Sequence, residues 1–429
     1  MRYESINPNL FSTNRTRLIE LLPDNAIAIF NSNDIMPTNA DGEMGFRQNN
    51  DFFYLTGIDQ EESTLVVLKR NSLATFHLFL KETSDLIKIW EGAKLTITEA
   101  QELSLIQDVQ WNDRLAPFLN EKVKEHDTYF YNSNDHGRSA SKVQTRDDRF
   151  NIEFQTSHPH LKLTKSAPLM HQLRQVKSRT EIDIIQKACN ITEKAFRRVL
   201  QYTKPSMYEY EIEAEITYDF LKNRSRGHAY APIIAGGKNA CILHYTDNNE
   251  IINDGDVILM DFGAEYANYA SDMTRSIPAN GRFTKRQKEV YNAVLDSMNY
   301  AKTQLTPGNT IAQYQKEVSL HIEKHLVDLG LITMNEIKEQ DPKSPAFRKY
   351  FMHGVSHSLG LDVHDVDNRD RPFENGMVYT IEPGLYIPQE NLGIRLENNF
   401  VINDNSPIDL MANIPLEADE IEDLMNRQA

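Results

Sequence analysis

Cysteine is nearly absent: Cys189 and Cys241 are the only two in 429 residues. Two thiols cannot form a disulfide framework, so the expected setting is a reducing cytoplasm. Long apolar runs are also missing. None approaches the roughly 18 residues that a spanning helix requires. The opening Met-Arg-Tyr-Glu-Ser lacks the basic and then apolar pattern of a signal peptide. Positive charge is in deficit, with 46 Lys and Arg against 62 Asp and Glu and a net charge of −16. That balance argues against nucleic acid or an anionic membrane surface as a partner. Several familiar catalytic signatures are missing too. There is no Gly-x-Ser-x-Gly elbow, and Gly236-Gly237-Lys238 lacks the spacing of a phosphate loop. His321 and His325 stand four apart on an expected helix, but Ile322 occupies the place where a metalloprotease helix carries glutamate. These two read as residues on a helix flank. Cys241 precedes His244 by three positions in what reads as a strand, where the two side chains would face opposite ways.

What remains is ordinary globular composition, 40% apolar and 9% aromatic, on a chain long enough for two or three domains. The first part alternates helical and strand signals. Helices are expected at 13–22 and Thr98–Leu105, and strands at Ala26–Phe30, Thr64–Leu68, Thr75–Leu80 and Thr128–Tyr131. This reads as an α/β domain over residues 1–169. The polar stretch Asn132–Arg149 reads as a long loop, either a mobile surface loop or an edge of the active site. A second domain is expected over 170–429. Ser178 and Glu181 match a capping box, followed at helical spacing by Ile182, Ile185, Ala188, Ala195, Phe196, Val199 and Leu200. Further helices are expected at 209–222, 284–305 and 310–329, the last closed by Gly330, with a short acidic helix in 415–429. The fold class is therefore α+β, with helices covering a mostly antiparallel sheet in the second domain.

One pattern occurs twice. Gly255-Asp-Val-Ile-Leu-Met-Asp261 runs as a strand from a glycine to an acid, with Gly263 beyond. Gly376-Met-Val-Tyr-Thr-Ile-Glu382 repeats it 121 residues later (382−261), with Gly384 beyond. A second acid follows each block, Asp272 and Glu397. A lone aspartate is most often a turn or cap residue, and Arg395 and Glu397, on one face of a strand, could form a plain salt bridge. Two half-units that each deliver two acids instead suggest four carboxylates at a pseudo-symmetric centre. Such a cluster is costly to bury unless cations fill it. A turn-prone centre between Asp261 and Asp272 suggests a hairpin that places both on neighbouring strands. His353, His357 and His364 lie within 12 positions, in a segment whose Gly354 and Gly360 argue for a loop leading into a strand. His244 stands alone, as most structural histidines do.

These motifs resemble a known family. Residues 170–415 look like the pita-bread metallopeptidases, which include methionine aminopeptidase, prolidase and aminopeptidase P. The segments Cys241-Ile-Leu-His-Tyr-Thr, Met352-His-Gly-Val-Ser-His with its Gly-Leu-Asp-Val-His-Asp continuation, and Ile381-Glu-Pro-Gly-Leu-Tyr386 are most similar to bacterial-type Xaa-Pro aminopeptidases. Phe46-Arg-Gln-Asn-Asn-Asp-Phe-Phe-Tyr-Leu-Thr-Gly57 is similar to the N-terminal domain of aminopeptidase P, which methionine aminopeptidases lack. The resemblance implies five metal ligands: Asp261, Asp272, His357, Glu382 and Glu397. It implies that Asp272 and Glu397 bridge two divalent ions, that Asp261 holds one, and that His357 and Glu382 hold the other. Glu382 would also shuttle protons, His244, His353 and His364 would line the substrate pocket as catalytic groups, and Arg395 would stand behind the ligands on the substrate side. Asn398-Asn399 departs from relatives, which often carry acids there. Four carboxylates and one imidazole form a hard site that suits Mn²⁺ best, and a bridging water could ionise towards a pKa of about 7. The implied activity is hydrolysis of the bond before a penultimate proline by a metal-bridging hydroxide, on peptides, by a homo-oligomer (dimer or tetramer). The alternatives are a strict Xaa-Pro dipeptidase and a non-catalytic binding protein of the same fold.

Overall fold

In a computed structural model that describes residues 3–427, the chain divides into one unit over Tyr3–Arg174 and another from Gln175 onwards. In the first unit six strands form one sheet: β1 (Ala26–Asn31), β2 (Thr64–Arg70), β3 (Leu73–Leu80), β4 (Asp108–Trp111), β5 (Thr128–Tyr131) and β6 (Lys162–Lys165), in the order β4-β3-β2-β1-β5-β6. β1 is central and buried along its whole length, which explains its unbroken Ala-Ile-Ala-Ile-Phe run. The helices are α1 (Asn9–Leu21), α2 (Asn50–Thr56), α3 (Asp85–Glu91), α4 (Ile97–Ser104), α5 (Leu115–Lys122), α6 (Arg146–Ser157) and α7 (Ala167–Gln175). Ile27, Ile29, Val66, Phe79, Tyr129 and Phe154 share one core. The expected loop 132–149 is shorter than its composition suggests, because α6 already begins at Arg146. Thr145 and Asp148 cap it reciprocally, a capping box hidden within a polar run.

The second unit opens with α8 (Arg179–Tyr202), 24 residues long and capped by Ser178 and Glu181 as expected. Its buried stripe includes Ile185, Ala188, Phe196 and Val199. Ile184 is buried in the first turns, where Ile182 is only half-buried. α9 (Glu209–Lys222), α10 (Lys285–Gln304), α11 (Ile311–Asp328), α12 (Met334–Glu339) and α13 (Ala418–Met425) follow. The strands are β7 (Gly227–His228), β8 (Ile233–Gly236), β9 (Val257–Asp261), β10 (Ala264–Tyr266), β11 (Tyr269–Ala270), β12 (Thr274–Pro278), β13 (Val378–Ile381), β14 (Gly384–Ile387), β15 (Leu392–Arg395), β16 (Asn398–Val401) and β17 (Ile408–Asp409). Every pairing is antiparallel, but the strands are divided among four small sheets, β11-β10-β7, β12-β9-β8, β13-β16-β17 and β14-β15. Among the described residues no helix is long and apolar enough to cross a membrane.

The division into small sheets follows the duplicated pattern. β9 ends on Asp261 and the chain turns at Gly263 into β10, while β13 ends just before Glu382 and turns at Gly384 into β14. A short hairpin intervenes in each half, β10-β11 or β14-β15, before the second acid. Asp272 then leads into β12, which pairs with β9, and Glu397 leads into β16, which pairs with β13. Asp272 thus lies two residues ahead of the expected neighbouring strand, and Asp261 faces Thr274 in register. Gly263 is required by close approach: a Cβ there would lie 1.8 Å from the Ser271 carbonyl oxygen. α8 covers this turn, with Thr192 Oγ1 accepting from Ala264 N at 3.0 Å and lying 2.8 Å from Ser271 Oγ.

Candidate metal centre

The two halves meet at their acids. Glu397 N donates to the Thr274 carbonyl at 3.0 Å, and Asp272 N donates to Asn399 Oδ1 at 3.0 Å. Asn399 Nδ2 returns a bond to the Asp272 carbonyl at 2.6 Å. Arg275, fully buried, reaches the Glu397 carbonyl and Asn398 Oδ1, both at 2.7 Å. Asn399 thus holds the backbone of Asp272 on both sides, and Asn398 braces Arg275, which holds the Glu397 carbonyl.

This stitching brings the acids and one imidazole together. Ligand atoms of Asp272, His357 and Glu397 lie within 4.8 Å of one another. His357 Nε2 is 3.3 Å from Asp272 Oδ2 and 3.6 Å from Glu382 Oε1. Asp261 is joined to the group by Tyr230, whose hydroxyl contacts Asp261 Oδ1 at 2.6 Å and also Asp272 Oδ1. His357 rides on the segment beside β13. Its backbone exchanges bonds with Thr380, and Ser358 forms an isolated bridge with Tyr379. The expected strand after Gly360 does not form, and the chain from Leu361 to Val366 stays irregular. His357 Nδ1 faces the Ser358 carbonyl at 3.1 Å, which favours a proton on Nδ1 and turns the Nε2 lone pair towards the acids.

The remaining candidates take different places. His353 Nε2 lies 2.8 Å from the Tyr386 hydroxyl, and its Nδ1 lies 2.8 Å from the Gly354 carbonyl and 3.9 Å from Glu382 Oε2. His364 stacks on His357, with ring centroids 4.1 Å apart and planes within 10°. Cys241 and His244 are not on a strand. A 3-10 turn (Gly237–Cys241) runs into a further turn there, and His244 is exposed and makes no hydrogen bond among the described residues. The alternation argument about Cys241 therefore does not apply. Arg395 does not hydrogen-bond Glu397. Its Nη2 donates to Asp261 Oδ2 at 2.6 Å, its Nη1 to the Tyr386 hydroxyl at 2.8 Å and its Nε to Thr274 Oγ1 at 3.1 Å. Arg395 and Glu397 instead meet through Thr274 Oγ1, which accepts from the one and donates to the other.

Three contributors escaped the sequence reading: Tyr230, Thr274 and Tyr386. Thr274 Oγ1 donates to Glu397 Oε2 at 2.7 Å. Tyr386 stands in the Ile381–Tyr386 segment and could have been found there, whereas nothing near Tyr230 in sequence signals an acid partner.

Electrostatically this is a loaded cluster. Burial is the main force raising the pKa of Asp272 and, well above the ordinary range, that of Glu397. Neighbouring carboxylates push both further. Burial lifts Glu382 to about 7, with His357 opposing and Asp272 adding. Burial lowers His357, but the bond to Asp272 and the charge of Glu382 outweigh it and raise it to about 9. Burial and the charge of Arg395 bring His353 down to about 4. Glu397 Oε1 is buried with no hydrogen-bond partner among the described residues. An orphaned carboxylate oxygen inside a group of acids is what a cation-holding centre requires. The donor set, four carboxylates and one imidazole, fits hard or borderline divalent ions.

Known proteins resemble the chain over nearly its whole length. Residues 183–404 match Metallopeptidase family M24, and residues 11–131 match the Aminopeptidase P, N-terminal domain. The Xaa-Pro aminopeptidase of Haemophilus influenzae is 34% identical over 97% of this chain and 97% of its own. A putative aminopeptidase P from Bacillus anthracis superposes with a TM-score of 0.92 at 32% identity, covering 98% of each chain. Zinc-substituted E. coli aminopeptidase P, in complex with product, gives 0.89 at 32% identity over 99% of this chain and 100% of its own. The chain belongs to metallopeptidase family M24, in the branch that carries the aminopeptidase P N-terminal domain.

Proposed function

We propose that this chain is a manganese-dependent Xaa-Pro aminopeptidase that releases the N-terminal residue of peptides with proline at position two. Residues 170–429 would carry catalysis and residues 1–169 the accessory domain. The observation that carries the reading is the convergence of His357 Nε2 on Asp272 and Glu382 at 3.3 and 3.6 Å, beside the unpartnered Glu397 Oε1.

Asp261, Asp272, His357, Glu382 and Glu397 would hold two divalent ions, whose four positive charges balance four carboxylates. When bound, such ions supply Lewis acidity and a water of lowered pKa. Around them the chain's own groups do the rest. Glu382, within reach of His357 and His353, accepts a proton and passes it to the departing proline nitrogen. His364 donates to the oxygen that gains charge as the carbonyl carbon becomes tetrahedral. His353 and His244 flank the proline ring. Arg395 and Tyr230 hold Asp261 in place from two sides. Proline at position two has no N–H and a fixed φ, so a ring-shaped pocket that offers no acceptor for that N–H favours it. A cytoplasmic setting fits the two free thiols, and a homo-oligomer fits the apolar residues exposed on α3.

The tripeptide Arg-Pro-Pro, incubated with the protein and Mn²⁺ and read by mass spectrometry, tests the activity. Free arginine and Pro-Pro are expected. An intact tripeptide alongside cleavage of an Xaa-Pro dipeptide would indicate a strict dipeptidase. No cleavage and no bound metal would leave a binding protein.

A further inference from the structure

A second set of ligands lies on the outer helices. Asp296 on α10 faces His321 and His325 on α11. Asp296 Oδ2 is 2.8 Å from His321 Nε2 and 2.9 Å from His325 Nε2, and the two Nε2 atoms are 3.3 Å apart. The three atoms form a triangle small enough for one ion to sit about 2.0–2.1 Å from each, the usual zinc–nitrogen and zinc–oxygen distance. Two histidines at i, i+4 project from one face of a helix, a spacing that supplies two metal ligands without backbone adjustment. The rings are not loosely held. His321 stacks on Tyr300, centroids 4.2 Å apart and planes within 6°, and Tyr300 lies one turn beyond Asp296 on α10. The bond from His321, and then that from His325, holds Asp296 below its ordinary range, so the carboxylate is a ready anionic ligand. The imidazoles keep about a fifth of their side-chain surface open, which leaves a path for an ion and room for a water as fourth ligand.

We propose that Asp296, His321 and His325 form a zinc-binding clip that fastens α10 to α11, separate from the acid cluster of the candidate centre. Two imidazoles and one carboxylate prefer a borderline cation such as Zn²⁺ or Co²⁺, whereas the acid cluster prefers a harder one. The clip is not a hydrolytic site. The position after His321, where a zinc peptidase helix carries its general base, is Ile322, which is 1% exposed. Glu323, next along, is bonded by Gln340 Nε2 at 3.3 Å. The consequence is a helix pair whose hold depends on available zinc, independently of the ions that serve catalysis.

Equilibrium dialysis of the full-length protein against zinc tests this, with His321→Ala and Asp296→Ala compared with the parent. The parent should bind one equivalent more than either variant, while all three cleave Arg-Pro-Pro alike and show the same far-ultraviolet circular dichroism. In the Co²⁺-loaded proteins the parent should show additional visible absorption from a tetrahedral ion, absent in both variants. Equal zinc content and equal cobalt spectra would overturn the clip and leave Asp296 as a hydrogen-bond acceptor between the helices.

Discussion

Glu397 is 1% exposed, with Oε2 bonded by Thr274 and Oε1 buried without a hydrogen-bond partner among the described residues. A charge there is favourable beside a cation and costly without one. Its folded pKa is raised by burial, so without metal the folded state loses stability as pH rises above the unfolded value of about 4.3. Glu397→Gln removes that loss. In EDTA at pH 7 the variant should be more stable than the parent by roughly 1–3 kcal/mol in urea unfolding, and the gap should close as pH falls towards 4. In Mn²⁺ the order should reverse, because the parent alone keeps the ligand. A less stable variant in EDTA would contradict this reading. Asp261 and Glu382 stood out in the sequence because each ends a strand with a glycine two residues beyond, 121 residues apart (382−261), and Asp272 and Glu397 as the second acid after each; the resemblance alone joined His357 to them as a proposed ligand. Tyr230 did not stand out. It meets Asp261 and Asp272 only after the chain has run through β8 and back along β9, so no local pattern marks it.

At the scale of elements, the sharp turn after β9 decides where Asp261 and Asp272 stand. Gly263 has no room for a side chain, and the obstacle is backbone rather than a movable group. Gly263→Ala should destabilise the protein by more than about 2 kcal/mol. It should also weaken Mn²⁺ binding measured by calorimetry, because β10 must move away from Ser271. Unchanged stability and affinity would show that the turn has slack. α8, with its Ser178–Glu181 cap, was legible above all, from its cap and its periodicity together. The antiparallel strands were legible too, but their division into four sheets was not, since apolar strand residues do not reveal where a turn redirects hydrogen bonding. The start of α6 and the turn at His244 were missed for the same local reason. Polar residues hid a capping box in one case, and apolar residues imitated a strand in the other.

At the scale of the whole molecule, the family was legible because several short motifs occur in a fixed order over nearly the full chain. A homo-oligomer (dimer or tetramer) was expected from the resemblance alone, and exposed side chains offer it a surface. Leu86, Ile89 and Trp90 of α3 are 66%, 77% and 80% exposed, and none of α3 is buried within one chain. Exposed apolar residues on one short helix suit an interface between copies. Light scattering should give a mass of two or four chains, and Trp90→Glu should lower it; a single-chain mass for the parent would rule this out. The central claim concerns the acids themselves and is tested most directly by diffraction from crystals of the manganese-loaded protein, using the anomalous signal of the metal. Two manganese peaks are predicted, both bounded by Asp261, Asp272, His357, Glu382 and Glu397. No peak among those five side chains, at manganese concentrations that support cleavage of Arg-Pro-Pro, would contradict the account.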